Sequence, residues 1–269
     1  MMISKGGTLA AKKKFTFQLK LPFQLISSLN EFIDEIETLK DTQIRNGNSA
    51  DFLFRGQNCD QPLLPKIARL ELKGETLNTE KQIFEEFKRQ APPYITMAQE
   101  SDWDWLATAQ HHGLPTRLLD WTYSALCGLW FAVKEDPEND HEEHGVVYIF
   151  TPTLADYKIA EQIIDPFEIK QSAIYRPKSV SKRIFAQSGV FTAHRIQVDG
   201  AAVKFETHGS YKSKLKKFKI ERGDFSKIRK SLNMMGINYH TMFPDLDGLC
   251  RHLQWRFSYS NGDTVPTAV

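Results

Sequence analysis

Gln110 to Val133 reads QHHGLPTRLLDWTYSALCGLWFAV. Gly113-Leu114-Pro115 closes the aromatic-rich stretch Trp103 to Gln110, which predicts a helix ending there. Leu118-Leu119-Asp120-Trp121 then reads as a strand, and Ser124 to Val133, apolar nearly all round, as a buried helix. A strand running straight into a buried helix sets one wall of a core. It also gathers His111, His112, Arg117, Asp120 and Thr122 around the ends of a single strand.

Working outward, Leu29, Phe32, Ile33, Ile36 and Leu39 recur at helical spacing behind a Ser28/Glu31 capping box, predicting a first helix from Ser28 to about Lys40. Asn46-Gly47-Asn48 breaks the chain, and Asp51 to Phe54 is a short apolar strand that delivers Arg55-Gly56-Gln57 at its end. Thr79 to Ala91 is amphipathic, with a solvated charged face, and is stopped by Pro92-Pro93. Beyond the polar loop Glu135 to His144, further strands are expected at Val146 to Phe150, Val190 to Ile196 and Leu215 to Ile220. The last lies in the basic run Lys212 to Arg222, whose outer face could meet a polyanion. Ser226 to Met235 and Asp245 to Trp255 are helices, with Asp245 and Asp247 near the positive end of the second.

Strands and helices do not alternate regularly, which disfavours a doubly wound sheet or a barrel. The expected fold is α+β: a single domain with a split, mostly antiparallel central sheet flanked by helices. Residues 1–18 form a loose N-terminal segment, 19–257 the domain and 258–269 a tail. With 35 Lys and Arg against 33 Asp and Glu, the chain lacks the global charge of a dedicated nucleic-acid binder. The 3 cysteines, Cys59, Cys127 and Cys250, contain no CxxC spacing, which excludes a zinc ribbon, argues against a disulfide scaffold and leads to the expectation of a cytoplasmic location. No apolar run is long enough to span a bilayer.

The chemistry concentrates in two segments. Arg55, at the end of an apolar strand, needs a planar anion, which is either Asp120 or a ligand. Gly56 permits close approach of a ligand. Arg117 carries the same two readings as Arg55, and two arginines beside one aspartate suit a pyrophosphate with a hydroxylated sugar. His112 is either a general base or a satisfied helix end. Adjacent histidines are not metal-site spacing, so no metal is expected. Nucleophile elbow, dinucleotide fingerprint and P-loop are all missing.

The strings FRGQ, QHHGLPTRLLDWTYSALCGLWFAV, HGVVYIF, RIFAQSGVFTAH and FPDLDGLCRHL resemble the FRG-domain family from about Asp51 to Leu253. More remotely, Phe54-Arg55-Gly56, then Leu119 to Ser124 followed by Leu129 to Ala132, and then Ala186 to Phe191 resemble, in order, the three motifs of the arginine-serine-glutamate class of ADP-ribosyltransferases. That resemblance implies an ADP-ribosyltransferase-like fold and an enzyme that takes NAD, acting on a protein or nucleic-acid acceptor or cleaving NAD, as toxins and anti-phage effectors do. It implies cofactor-binding roles for Arg55, Gly56, Gln57, Arg117, Trp121 and Thr122, and catalytic roles for His112, Asp120 and Gln187. Gln187 stands where that class has its glutamate, and an amide is no general base. The alternatives are an inactive nucleotide-binding or partner-binding module, and a nucleic-acid-binding protein using the basic run. Oligomeric state is left open.

Overall fold

A computed structural model describes residues 21–47, 51–95, 99–135, 144–177, 182–197 and 199–258. The expected N-terminal segment, nearly all of the tail and most of the loop Glu135 to His144 lie outside them. In chain order the strands are β1 (Phe23–Ile26), β2 (Leu53–Gln57), β3 (Leu118–Thr122), β4 (His144–Phe150), β5 (Ala173–Tyr175), β6 (Gly189–Ala193) and β7 (Leu215–Glu221). The helices are α1 (Leu29–Arg45), α2 (Thr76–Gln90), α3 (Asp102–His111), α4 (Ala125–Val133), α5 (Leu154–Gln162), α6 (Lys182–Ala186), α7 (Gly209–Lys212), α8 (Phe225–Met234), α9 (Tyr239–Met242) and α10 (Leu246–Phe257). The strands form one seven-stranded sheet in the order β1-β7-β4-β2-β3-β6-β5, antiparallel throughout except for the parallel pair β1–β7. The α+β reading holds, with all five expected strands present. β1, β5, α5 and the short helices α6, α7 and α9 were not foreseen.

The sheet is pinched rather than fully split. β2 pairs with β4 over five positions and β3 with β6 over five, but β2 and β3 share only Phe54 opposite Thr122. Alternation along the strands divides the core accordingly. On one face Phe54, Val147, Ile149, Phe218 and Ile220 pack with Phe32, Leu129, Ile228 and Leu232, while Leu118, Phe191 and Ala193 pack separately with Phe84, Trp103 and Leu106. On the other face Leu53, Leu119, Trp121, Tyr148, Phe150 and Leu215 pack under Phe205 and Tyr211. The two clusters sharing a face are separated where β2 and β3 part.

α4 is seated on β2 by two glycines. A Cβ on Gly56 would stand 1.9 Å from the Gly128 carbonyl oxygen, and one on Gly128 would stand 2.7 Å from the Phe54 Cβ. Gly56 therefore serves helix–strand packing, and it also lines the cleft described below. Ser124 caps α4 by accepting from the Cys127 amide at 3.2 Å. Cys127 is buried, which pushes its thiol up to about 12.

The basic run does not present one basic face. Alternation turns Lys217 inward, where it and Lys219, at 3.1 Å, both bind Asp60, while Lys214 pairs with Asp156 at 2.7 Å. Three of its six cations are thus paired within the fold, with two carboxylates between them. No helix among the described residues is long and apolar enough to cross a membrane.

Candidate functional site

A cleft of about 300 Å³ opens where β2 and β3 part. Its floor is the two strands, and its walls are the end of α3, Phe131 of α4, and α6 with the turn that follows. Arg55 starts on the opposite face of the sheet, beside Tyr148, its partner across β2 and β4. Its side chain passes through the pinch. Nη1 donates to the Asp120 carbonyl oxygen at 2.7 Å, an acceptor left over once the β2–β3 ladder has ended, and lies 3.8 Å from Asp120 Oδ2. Arg55 is therefore held by Asp120, chiefly through the backbone, and it lines the cleft. Burial lowers its pKa and Asp120 opposes the shift, but a guanidinium stays charged.

The Asp120 side chain, 60% exposed, projects into the cleft and accepts from Gln110 Nε2 at 2.9 Å. Gln110 is fixed in turn by Thr116, whose hydroxyl donates to Oε1 at 2.7 Å. Thr122 follows Asp120 on the same face. Its hydroxyl donates to the Gln187 carbonyl oxygen at 2.5 Å and accepts from the Ser124 amide at 2.9 Å, tying β3 to the far wall. Gln187 lines that wall, with its Nε2 donating to the Met242 carbonyl oxygen at 3.0 Å. Ser188 beside it has φ of 47°, a left-handed conformation unusual for a residue with a side chain, and its carbonyl accepts from the Tyr123 amide at 3.1 Å.

Several expected residues lie elsewhere. Arg117 is 1% exposed and does not line the cleft: Nη2 and Nε donate to Glu80 at 2.6 and 3.2 Å, Nη1 to the Pro166 carbonyl oxygen at 3.0 Å, and the guanidinium lies 4.4 Å from the Phe167 ring centroid. Glu80 is a buried partner, not part of a wet helix face. Trp121 belongs to the cleft lining, but its ring points to the opposite core, where Nε1 donates to Thr192 Oγ1 at 2.9 Å, because strand alternation turns it away from Asp120 and Thr122. Gln57 does not line the cleft. It accepts from Arg55 Nε at 3.2 Å and so orients that arginine. His112 is an exposed helix cap, and the imidazole that lines the cleft is its neighbour His111.

Of the polar lining residues, Arg183 escaped the sequence reading, and His111 was noted there but given no role. Burial, His112 and Arg183 hold His111 below its usual pKa, so the ring is neutral near pH 7. Arg183 sits over the Phe243 ring at 4.4 Å, with the charges of Asp120 and Asp245 near enough to oppose its desolvation. One signal could have found it: Arg183 lies one helical turn before Gln187, whose amide, just past the end of α6, donates to the Arg183 carbonyl oxygen at 3.0 Å. Two guanidiniums, one carboxylate and one neutral imidazole thus converge in a cleft flanked by Phe54, Phe131 and Phe191. Among the described residues, no group of three or more His, Cys, Asp or Glu could hold a metal ion.

The FRG domain family matches residues 50–141. The chain carries an FRG domain. The match covers β2, α2, α3, β3 and α4, hence Arg55, Gln110, His111, Asp120, Thr122 and Phe131 of the cleft, while Arg183 and Gln187 come from beyond it. The FRG domain therefore supplies the centre of the sheet and one side of the cleft. No curated protein and no solved structure matches the chain.

Proposed function

We propose that the cleft binds NAD or a related ADP-ribose-containing nucleotide, and that the protein is an ADP-ribosyltransferase-like enzyme. The observation that carries this reading is the convergence of Arg55 and Arg183 on Asp120 at the pinch of the sheet. Guanidiniums recognise phosphate oxygens bidentately, a carboxylate accepts from ribose hydroxyls, and Phe54, Phe131 and Phe191 offer an apolar wall to a base. Arg183 takes the part that the sequence reading had given to Arg117. In this reading Asp120 is the carboxylate that a sugar cation meets when the bond to nicotinamide breaks, with His111 within the same cleft as a neutral acceptor.

A second reading, a binding module without turnover, is favoured by one specific observation. The Gln187 amide is tied to the Met242 carbonyl, at the position where a glutamate would be expected. The experiment that separates them follows nicotinamide release and melting temperature with NAD, and melting temperature with ADP-ribose. Ligand at about 100 times its Kd stabilises the native state by about 2.7 kcal/mol. We expect stabilisation by both ligands, reduced in Arg183→Gln, and release that disappears in Asp120→Asn while stabilisation persists. Stabilisation without release selects the binding module. Neither effect in folded protein removes the nucleotide reading altogether.

A further inference from the structure

α10 is the least buried of the long helices. Of its 12 residues only Gly248 is buried, where a Cβ would stand 1.9 Å from the Phe243 carbonyl oxygen, so the helix is seated on the chain just before it through a glycine. Trp255 turns on the same side toward the end of α8, where it lines a small crevice with Asn233, Ile237 and Tyr239. The opposite side faces solvent and is apolar. Leu246, Leu253 and Phe257 are 72%, 41% and 80% exposed, Cys250 is exposed and Leu249 is half-buried. At 3.6 residues per turn these five fall within an arc of about 100°. That is the width of a stripe that packs against another helix.

We propose that this stripe is a self-association surface, on which α10 of a second copy docks antiparallel about a two-fold axis. The argument is complementarity of the stripe with itself. An axis passing between Arg251 and His252 sets Leu246 opposite Phe257, Cys250 opposite Leu253 and Leu249 opposite Gln254, so four of the five apolar positions of one copy meet apolar positions of the other. Asp245 and Arg256 lie on one flank of the helix, and the same axis brings Asp245 of each copy beside Arg256 of the other. A parallel pair would instead oppose the acidic first turns to each other and the basic last turns likewise. Opposed end charges suit the helix dipole as well, so the apolar stripe defines the surface and the charges choose its direction. The inference does not depend on what the cleft binds.

The test is sedimentation velocity of the full chain over a wide concentration range. The wild type forms a concentration-dependent dimer, and Leu253→Glu raises its dissociation constant by at least about tenfold, the equivalent of about 1.4 kcal/mol, with circular dichroism and melting temperature of the monomer unchanged. Leu253→Gln gives the same direction without adding a charge. Leu253→Cys, which places a thiol opposite Cys250 of the other copy, oxidises to a covalent dimer faster than the wild type, whereas Arg251→Cys on the outer side does not. A wild type that stays monomeric at every concentration overturns the proposal. So does a dimer that survives Leu253→Glu, or a monomer that Leu253→Glu destabilises, since then another part of the same chain covers the stripe.

Discussion

Replacing Glu80 with glutamine tests whether Arg117 is structural. Arg117 and Glu80 are 1% and 2% exposed, and the carboxylate accepts from Arg117 Nη2 at 2.6 Å, Nε at 3.2 Å and the backbone amide at 2.9 Å. In Glu80→Gln one carboxylate oxygen becomes an NH2 that points its hydrogens at the guanidinium's own donors. The arginine cannot discharge, so a buried cation loses its counter-charge. Removing one partner of a buried pair costs about 3–5 kcal/mol, which for a chain of this size lowers the melting temperature by about 10 °C. Glu80→Leu combined with Arg117→Met removes both charges at similar volume, and we expect it to recover most of the loss. Urea unfolding measures all three proteins. Because Arg117 lies outside the cleft, the double variant also keeps whatever stabilisation nucleotides give the wild type. A Glu80→Gln cost below about 1 kcal/mol, or a folded double variant that has lost nucleotide stabilisation, would refute the assignment of Arg117 to the core.

Two further predictions concern the far face of the sheet and its pinch. His194 is fully buried in a bonded chain: Trp121 Nε1 donates to Thr192 Oγ1 at 2.9 Å, leaving the hydroxyl to donate to His194 Nε2 at 3.0 Å, while Nδ1 donates to the Val203 carbonyl at 2.9 Å. The ring is therefore neutral, and burial pushes its pKa down to about 4. A depressed histidine leaves stability intact above the unfolded value and removes it as pH falls, here from about 6.5 to about 4, for a loss of about 3 kcal/mol; urea unfolding across that window should show the slope in the wild type and a shallower one in His194→Asn, and equal slopes would contradict it. Gly56→Ala, whose Cβ meets the Gly128 carbonyl at 1.9 Å, should cost about 3 kcal/mol or more, whereas Gly113→Ala, at φ of 85° with nothing within 4 Å, should cost only about 1 kcal/mol of backbone strain. Equal urea midpoints for the two variants would mean that α4 is not seated through Gly56.

What could be read in the sequence was what a single segment decides. The strands at Leu53, Leu118, His144, Gly189 and Leu215 announce themselves because their inward side chains are apolar or β-branched, and α4 because it is apolar on every side. β1 was hidden because three of its four residues are exposed and only Ile26 is buried, and β5 because three residues make no pattern. The site divides in the same way. Arg55 and Asp120 stand out because a charge at the end of an apolar strand demands a partner. Whether His111 or His112 turns inward, and whether Arg117 meets a ligand or Glu80, depends on elements far apart in the chain. Glu80 lies 37 residues before Arg117 on a helix whose charged positions resemble a wet face. The pinch itself is written in no segment. β2 and β3 meet at Phe54 and Thr122 alone because each is committed to a different partner, β4 and β6, and, on the cleft face, to a different core. The unpaired Asp120 carbonyl that this leaves is what draws Arg55 through the sheet, so the cleft and its arginine are two consequences of one interrupted ladder.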